Sequence, residues 1–319
     1  MGALCSRSDA GEDATMNRRR RRPLRIVIVR HGQSMGNVDE SEYERTPDSQ
    51  VKLTELGHQQ ARAAGEKLGE LLQGADGTNP SRLFVYCSPY MRCQQTLTGI
   101  LEGANVDRET GLVGDVQEPR LREQDFGNFQ DKEKMRQNKA ERARFGRFYY
   151  RFPQGESGAD VYDRVSTWLE SLFREMSYGA LDDQTTLLVV THGLTGRLFL
   201  MRWFHWTVEK FEETYNPPNG ALMVMERGDL TGRGNIGYRL TTPTREALGL
   251  KRTDELRSKG SQTELKQPLT PSVAPGHSRA RRWGSPMGRA SSGRASASKG
   301  LGGGRDTLGD PDAPYGEAV

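Results

Sequence analysis

The strongest constraint on this chain is a pair of short runs, apolar at successive positions, that each end in a histidine. Ile26 to Val29 (IVIV) lead straight into Arg30 and His31, and Thr185 to Val190 (TTLLVV) lead into Thr191 and His192. A strand that is apolar on consecutive residues is covered on both faces, which is the condition of a central strand in a parallel sheet. Arg82–Ser88 (RLFVYCS) reads as a third strand of this kind. Amphipathic segments separate the strands. Residues 53–72 place Leu56, Ala63, Leu68, Leu71 and Leu72 near one face, with Thr54 as N-cap. A helix begins at Pro89, a charged helix spans Asp131–Phe148, and Ser157 caps a further amphipathic helix. Another helix follows His192, and GALMVMER and GYRLTT add strands. Strand–helix alternation predicts an α/β fold with a mostly parallel central sheet and helices on both faces.

Composition sets the bounds of that domain. Hydrophobic residues make up 34% of the 319, enough for one core only if they are concentrated, and they concentrate within residues 24–245. Residues 1–23 read as a disordered basic leader. Residues 246–319 read as a disordered tail rich in Gly, Ser and Arg, too poor in apolar side chains to offset chain entropy. The net charge of +4 belongs to the ends: residues 26–250 carry 27 Lys and Arg against 32 Asp and Glu. A mildly acidic domain argues against nucleic-acid binding through its folded surface. Three cysteines, Cys5, Cys87 and Cys93, are too few and too poorly spaced for a disulfide framework or a zinc site.

In open α/β sheets, ligands bind beyond the carboxyl ends of the strands. Three strands here end in polar chemistry: Arg30–His31, Ser88 with Arg92 one turn on, and Thr191–His192. If those strands are neighbours, two histidines and two arginines converge. Such a cluster, with a helix N-terminus beside it, suits a doubly charged anion, most naturally phosphate. Unpaired buried cations would otherwise be very costly. Taken singly, each residue is equally well an unrelated polar group near a strand end.

These residues resemble the histidine phosphatase superfamily, in its phosphoglycerate mutase-like branch. RHGQSMGN matches the opening RHG(E/Q)SxxN, SPYMRCQQT matches SPxxRxxQT, LREQDFGNFQ resembles the acid-bearing loop LxExxxG, and THG matches the second histidine. The resemblance implies that His31 is the nucleophile and becomes phosphohistidine. It implies that Arg30, Arg92 and a protonated His192 hold the phosphoryl oxygens and that Asn37 donates a further hydrogen bond. Glu123 becomes the general acid, its pKa raised beside a dianionic phosphate; from the residues alone, Glu118, Asp125 and Asp131 compete for that role. No motif requires a metal or cofactor, and arginines beside the two histidines would repel a cation. His58 and His205 read as packing or surface residues, and Cys87 as a residue at a strand end near the pocket.

Departures from the pattern bear on the reaction. The mutase pattern has Asn where Leu194 stands and Arg where Gln124 stands. FYYRFPQGES instead resembles a bisphosphatase segment, with Arg151 in its arginine position and Arg197 matching an arginine on the helix after the second histidine. A lysine near Gln154 and a glutamine at Gly193 are absent. In these features the chain resembles the plant-type phosphoglycerate mutase-like proteins. The expected activity is hydrolysis of a small phosphorylated metabolite such as a sugar phosphate. The alternatives are mutase-type phosphoryl transfer and a membrane-tethered phosphate-binding pseudoenzyme or adaptor.

The N-terminus MGALCSR fits an N-myristoylation pattern with Gly2 as acceptor and Ser6 in the required place. Cys5 offers a second acylation site and Arg18 to Arg22 a polybasic patch, a combination that anchors better than one acyl chain. The expected location is cytoplasmic with peripheral membrane association through this segment; the arginine run as a nuclear address is the alternative.

Overall fold

The computed structural model describes residues 22–73, 81–127, 131–178, 181–229 and 236–250. The elements run β1 (Arg25–Arg30), α1 (Met35–Val38), α2 (Glu42–Arg45), α3 (Glu55–Leu72), β2 (Arg82–Cys87), α4 (Met91–Ala104) and β3 (Leu112–Gln117). They continue with α5 (Lys132–Phe145), α6 (Gly158–Tyr178), β4 (Thr185–Thr191), α7 (Gly193–Phe204), α8 (Val208–Glu212), β5 (Leu222–Asp229), β6 (Ile236–Leu240) and α9 (Thr242–Ala247). The two apolar runs lie side by side. β1 pairs with β4 in parallel, Ile28 opposite Val189 and Arg30 opposite Thr191. β2 flanks β4 on its other edge. The six-stranded order is β3-β2-β4-β1-β5-β6; the first four strands are parallel, β5 runs against β1, and β6 runs against β5.

Side-chain alternation in these central strands feeds two cores. Val27, Val29, Leu188 and Val190 face one layer, where they meet Ala64, Leu68 and Leu72 of α3 and Leu97 and Ile100 of α4. Ile26, Ile28, Leu187 and Val189 face the other, against Val165, Trp168 and Leu172 of α6 and Leu198 and Phe199 of α7. Nearly all of these residues are fully buried. Burying an aliphatic side chain contributes about 1.5–3 kcal/mol, so each layer holds a substantial apolar payload. The caps are where the sequence puts them: the Thr54 hydroxyl accepts from the Gly57 N–H at 3.0 Å, and the Ser157 hydroxyl from the Asp160 N–H at 3.2 Å.

Three differences from the sequence reading have simple causes. β3 was not expected, because an edge strand of sequence LVGDVQ leaves Val113 and Val116 exposed and shows no apolar period. The charged helix stops at Phe145 rather than Phe148, where Gly146 adopts φ +88°. The expected domain end at 245 falls inside α9, and Leu248 beyond it is buried. The chain's folded part therefore reaches Leu250, whose side chain packs against the core. Gly2, Cys5, the arginine run before Arg22 and the tail from Lys251 lie outside the described residues. No helix of the described residues is long and apolar enough to cross a membrane.

Candidate active site

Because β2, β4 and β1 are consecutive in the sheet, their carboxyl ends open at one place. Arg30 and His31 arrive from β1, Ser88 and Arg92 from the turn into α4, and Thr191 and His192 from β4. The loop after β1 is then pressed against the start of α3. A Cβ on Gly32 would lie 2.4 Å from the Gly57 carbonyl oxygen, and one on Gly57 would lie 2.1 Å from that of Gln33. Only two glycines permit that approach.

The two imidazoles are 5.2 Å apart between ring centroids, at 64° to one another, and both are buried. His31 Nδ1 lies 2.7 Å from the Gly32 carbonyl oxygen. A carbonyl can only accept, so Nδ1 carries the proton and Nε2 keeps its lone pair. Burial, then Arg92 and Arg30, pushes the His31 pKa well below the ordinary histidine value. His31 is thus neutral, with a nitrogen ready to attack. His192 Nε2 lies 2.9 Å from the Ser88 hydroxyl, and its Nδ1 is 3.8 Å from a Glu123 carboxylate oxygen.

Protonated His192 is not what this environment favours. Burial, Arg92 and His31 push its pKa well down, which favours the neutral imidazole. The expectation of an imidazolium assumed an anion already in place; a dianion would reverse the sign of the local field. Glu123 does show the expected direction. Its pKa is raised, but by burial, against the pull of Arg92 and of the Gln124 N–H that bonds its carboxylate at 3.0 Å. The competing acids are placed elsewhere: Glu118 is bonded to Arg120, Asp125 accepts from the Gly127 N–H, and Asp131 caps α5.

Arg30, His31, Asn37, Arg92, Glu123 and Arg197 all line one cavity of about 430 Å³. Arg92 is 2% exposed and anchored by Asp48, whose backbone and carboxylate oxygens each accept from Nη1 at 2.7 Å. Its buried Nε and the buried Nδ1 of His192 have no hydrogen-bond partner among the described residues. Buried donors of this kind call for an acceptor. Arg197 donates to the Thr214 carbonyl oxygen at 3.0 Å and stacks over Phe211. Arg151 does not join them. Its guanidinium is mostly exposed, bonds Asp160 at the start of α6, and lies outside the cavity lining. The motif match failed there because Asp160, one turn into a helix, offers a nearer partner than the cavity.

Among the described residues, His31, Glu123 and His192 form a group whose ligand atoms lie within 4.8 Å of one another, a spacing that could hold a metal ion. The field of Arg92 and Arg30 that depresses both imidazoles opposes a divalent cation in the same place. An oxyanion meets no such obstacle. Burial disfavours the thiolate of both nearby cysteines: it pushes the Cys93 thiol up to about 12 and raises that of Cys87, which turns into the core beneath α4.

Sequence reasoning missed the loop 216–220 (NPPNG). The Pro217 carbonyl oxygen accepts from Arg30 Nη1 at 2.8 Å, and the Gly220 N–H bonds the Arg30 carbonyl at 3.0 Å. Asn219 Nδ2 donates to the His31 carbonyl at 2.9 Å and to Asn37 Oδ1 at 3.3 Å. Asn37 Oδ1 also accepts from the Ser34 backbone and hydroxyl at 3.0 and 3.1 Å. With its oxygen engaged by three donors, the Asn37 amide is fixed so that Nδ2 lies away from them. The sequence signal of loop 216–220 is a turn-forming composition, NPPNG. Asn219→Ala is expected to lower kcat about five- to tenfold, the worth of roughly 1 kcal/mol of hydrogen bonding. Combined with Asn37→Ala, the loss should be less than the sum of the two single losses, because one of the two Asn219 bonds runs to Asn37; full additivity in a double-mutant cycle would contradict the coupling.

The comparisons with known proteins agree with this geometry. The sequence profile of the histidine phosphatase superfamily (branch 1) matches residues 26–233. The Arabidopsis thaliana phosphoglycerate mutase-like protein AT74 is 48% identical over 210 residues, covering 65% of this chain and 66% of that one, just under two thirds of its length. The Saccharomyces cerevisiae broad-range acid phosphatase DET1 is 32% identical over 293 residues, covering 66% of this chain and 88% of that one. Among solved structures, a mycobacterial glucosyl-3-phosphoglycerate phosphatase in complex with VO3 superposes with a TM-score of 0.51 at 24% identity, over 68% of this chain and 97% of that one. That likeness concerns the fold. A profile that matches residues 26–233, well over half of the chain, makes this protein a member of the histidine phosphatase superfamily, branch 1.

Proposed function

We propose that this protein hydrolyses phosphomonoesters of small metabolites through a phosphohistidine formed on Nε2 of His31. One observation carries the reading: the Gly32 carbonyl holds the proton on Nδ1, so that an unprotonated Nε2 belongs to a cavity shared with Arg30 and Arg92. Phosphoryl transfer asks for positioning and charge stabilisation more than for covalent help, and the two guanidiniums supply both. Nε2 attacks phosphorus, the ester P–O bond breaks, and Glu123 gives its proton to the departing alkoxide. The resulting Glu123 carboxylate then takes a proton from water, whose oxygen attacks phosphorus and releases His31. Asn37 and His192 donate to the phosphoryl oxygens as their charge develops.

Two features support hydrolysis over mutase-type transfer. Leu194 and Gln124 replace the polar and cationic residues of the mutase pattern, and Gln124 Nε2 is tied to the Glu156 carbonyl at 2.9 Å. The kinship with a broad-range acid phosphatase points the same way.

The test is to quench the protein in alkali during turnover and look for acid-labile phosphate on the peptide holding His31. The phosphopeptide is expected; steady hydrolysis without it would remove the covalent step. The same protein, given 3-phosphoglycerate and a bisphosphate primer, should release free phosphate faster than it forms 2-phosphoglycerate. The opposite order would make it a mutase.

A further inference from the structure

Glu123 has little of its own to hold it. Among the described residues its carboxylate accepts one hydrogen bond, from the Gln124 N–H at 3.0 Å, and one of its oxygens lies 3.8 Å from His192 Nδ1. Its place therefore depends on the backbone that carries it, residues 120–125. Beyond a single 3-10 turn at Pro119–Leu121, that stretch belongs to no helix or strand. Four successive carbonyl oxygens there each accept from a side chain instead. Arg120 takes Arg164 Nη1 at 2.6 Å, Leu121 the Thr191 hydroxyl at 2.8 Å, Arg122 the Thr195 hydroxyl at 2.9 Å, and Glu123 takes Arg164 Nη2 at 3.0 Å. The threonines belong to β4 and α7; Arg164, from α6, holds the first and last of the four.

Arg164 can span both carbonyls because its guanidinium is itself fixed. Nε and Nη2 fork onto the two carboxylate oxygens of Glu156, each at 3.0 Å. Both side chains are largely buried, 11% and 14% exposed. Glu156 also accepts from Arg122 Nη2 at 2.5 Å and from the Asp125 N–H at 3.0 Å, and its own N–H donates to the Asp125 carbonyl at 2.7 Å. The residue before it is pressed against the same loop: a Cβ on Gly155 would lie 2.2 Å from the Asp125 carbonyl oxygen. This is the FYYRFPQGES stretch whose Arg151 turns away from the cavity; Glu156 is the residue through which it reaches the acid. A fork of this kind fixes geometry better than a single contact, and removing one partner leaves the other uncompensated. Neither Arg164 nor Glu156 lines the cavity.

We propose that the Arg164–Glu156 pair is the positioning element for the general acid: it fixes the 120–125 backbone and, through it, the Glu123 carboxyl beside His192. This rests on the phosphatase reading above. Because neither member touches the cavity, the pair acts on catalysis where Glu123 acts, in protonating the leaving oxygen and later in activating water. Its benefit in the first step is large for esters whose alkoxide leaves poorly and small for those whose anion is already stable. A carboxyl displaced by about 1 Å can lose on the order of 10²-fold in rate. A pair that merely stabilised the fold would change all substrates together.

The experiment uses the full-length protein and compares kcat/KM for glycerol 2-phosphate, an alkyl ester, with that for p-nitrophenyl phosphate. kcat/KM stops at cleavage of the ester bond, so the later hydrolysis of phosphohistidine does not enter it. The alkyl-to-aryl ratio is taken within one protein sample, so partial loss of folded protein cancels. Arg164→Met is expected to lower that ratio about ten- to a hundredfold, and Glu156→Gln to lower it in the same direction. Arg164→Lys, which keeps the charge but not the fork, should fall between Arg164→Met and the unaltered protein. Added to Glu123→Gln, where no acid is left to position, Arg164→Met should lower the ratio no further. Ratios unmoved by Arg164→Met and Glu156→Gln, or a second fall of equal size in the double variant, would overturn the proposal. The reading beneath it fails differently: Glu123→Gln then leaves the ratio where it stands, or His31→Ala keeps its turnover of p-nitrophenyl phosphate.

Discussion

Replacing His31 by alanine is expected to reduce hydrolysis of p-nitrophenyl phosphate on the order of 10⁴-fold or more, with little change in thermal stability. The side chain removed is buried, but its one intramolecular hydrogen bond runs to a neighbouring carbonyl, that of Gly32. The backbone around it keeps its own supports: the His31 N–H still bonds Thr191, and its carbonyl still accepts from Asn219. Loss of the imidazole therefore removes the proposed nucleophile while sparing the loop. Arg30 and Arg92 would still bind phosphate, so the variant should retain affinity for inorganic phosphate in calorimetry. Turnover within tenfold of the unaltered protein would rule out His31 as the attacking group.

Replacing Glu123 by glutamine should give the second largest effect, and one that depends on the leaving group. For an alkyl phosphate the departing alkoxide needs a proton, and removing a general acid costs about 10²- to 10⁴-fold. p-Nitrophenolate leaves as a stabilised anion, so the loss there should be much smaller. The pH dependence follows from the two shifts. His31 must be neutral to attack, and its depressed pKa moves the acid limb of kcat/KM below the ordinary histidine range. Glu123 must be protonated to act, and its raised pKa moves the alkaline limb above the ordinary carboxylate range. Activity is retained between these limits and is lost as pH rises through the Glu123 value. In Glu123→Gln that alkaline limb should vanish, whereas any contribution from ionisation of the substrate persists. An unchanged alkaline limb would assign it to another group.

Much of this arrangement was legible before the fold was seen, and the reason is local. Ile26 to Val29 and Leu187 to Val190 read as doubly covered strands, and Arg30, His31 and His192 follow them directly; that the two strands are parallel neighbours, which brings those ends together, is a fact of the fold. Thr54 and Ser157 cap helices through bonds three residues long, which sequence spacing alone implies. Arg151 failed because a motif match carries no information about competing partners, and Asp160 was the nearer one. β3 was hidden because an edge strand needs little apolar pattern.

The sequence by itself therefore determined the α/β class, the central strands and the identity of the residues at their ends. Tertiary structure alone decided which distant side chains serve them. Asp48 anchors Arg92 across 44 residues, Asn219 reaches His31 and Asn37 across more than 180, and the charged face of α5 closes the cavity. It also decided ionisation. His192 is neutral and Glu123 inclined to hold its proton because burial and the Arg92 charge act through space, at distances that no spacing along the chain records.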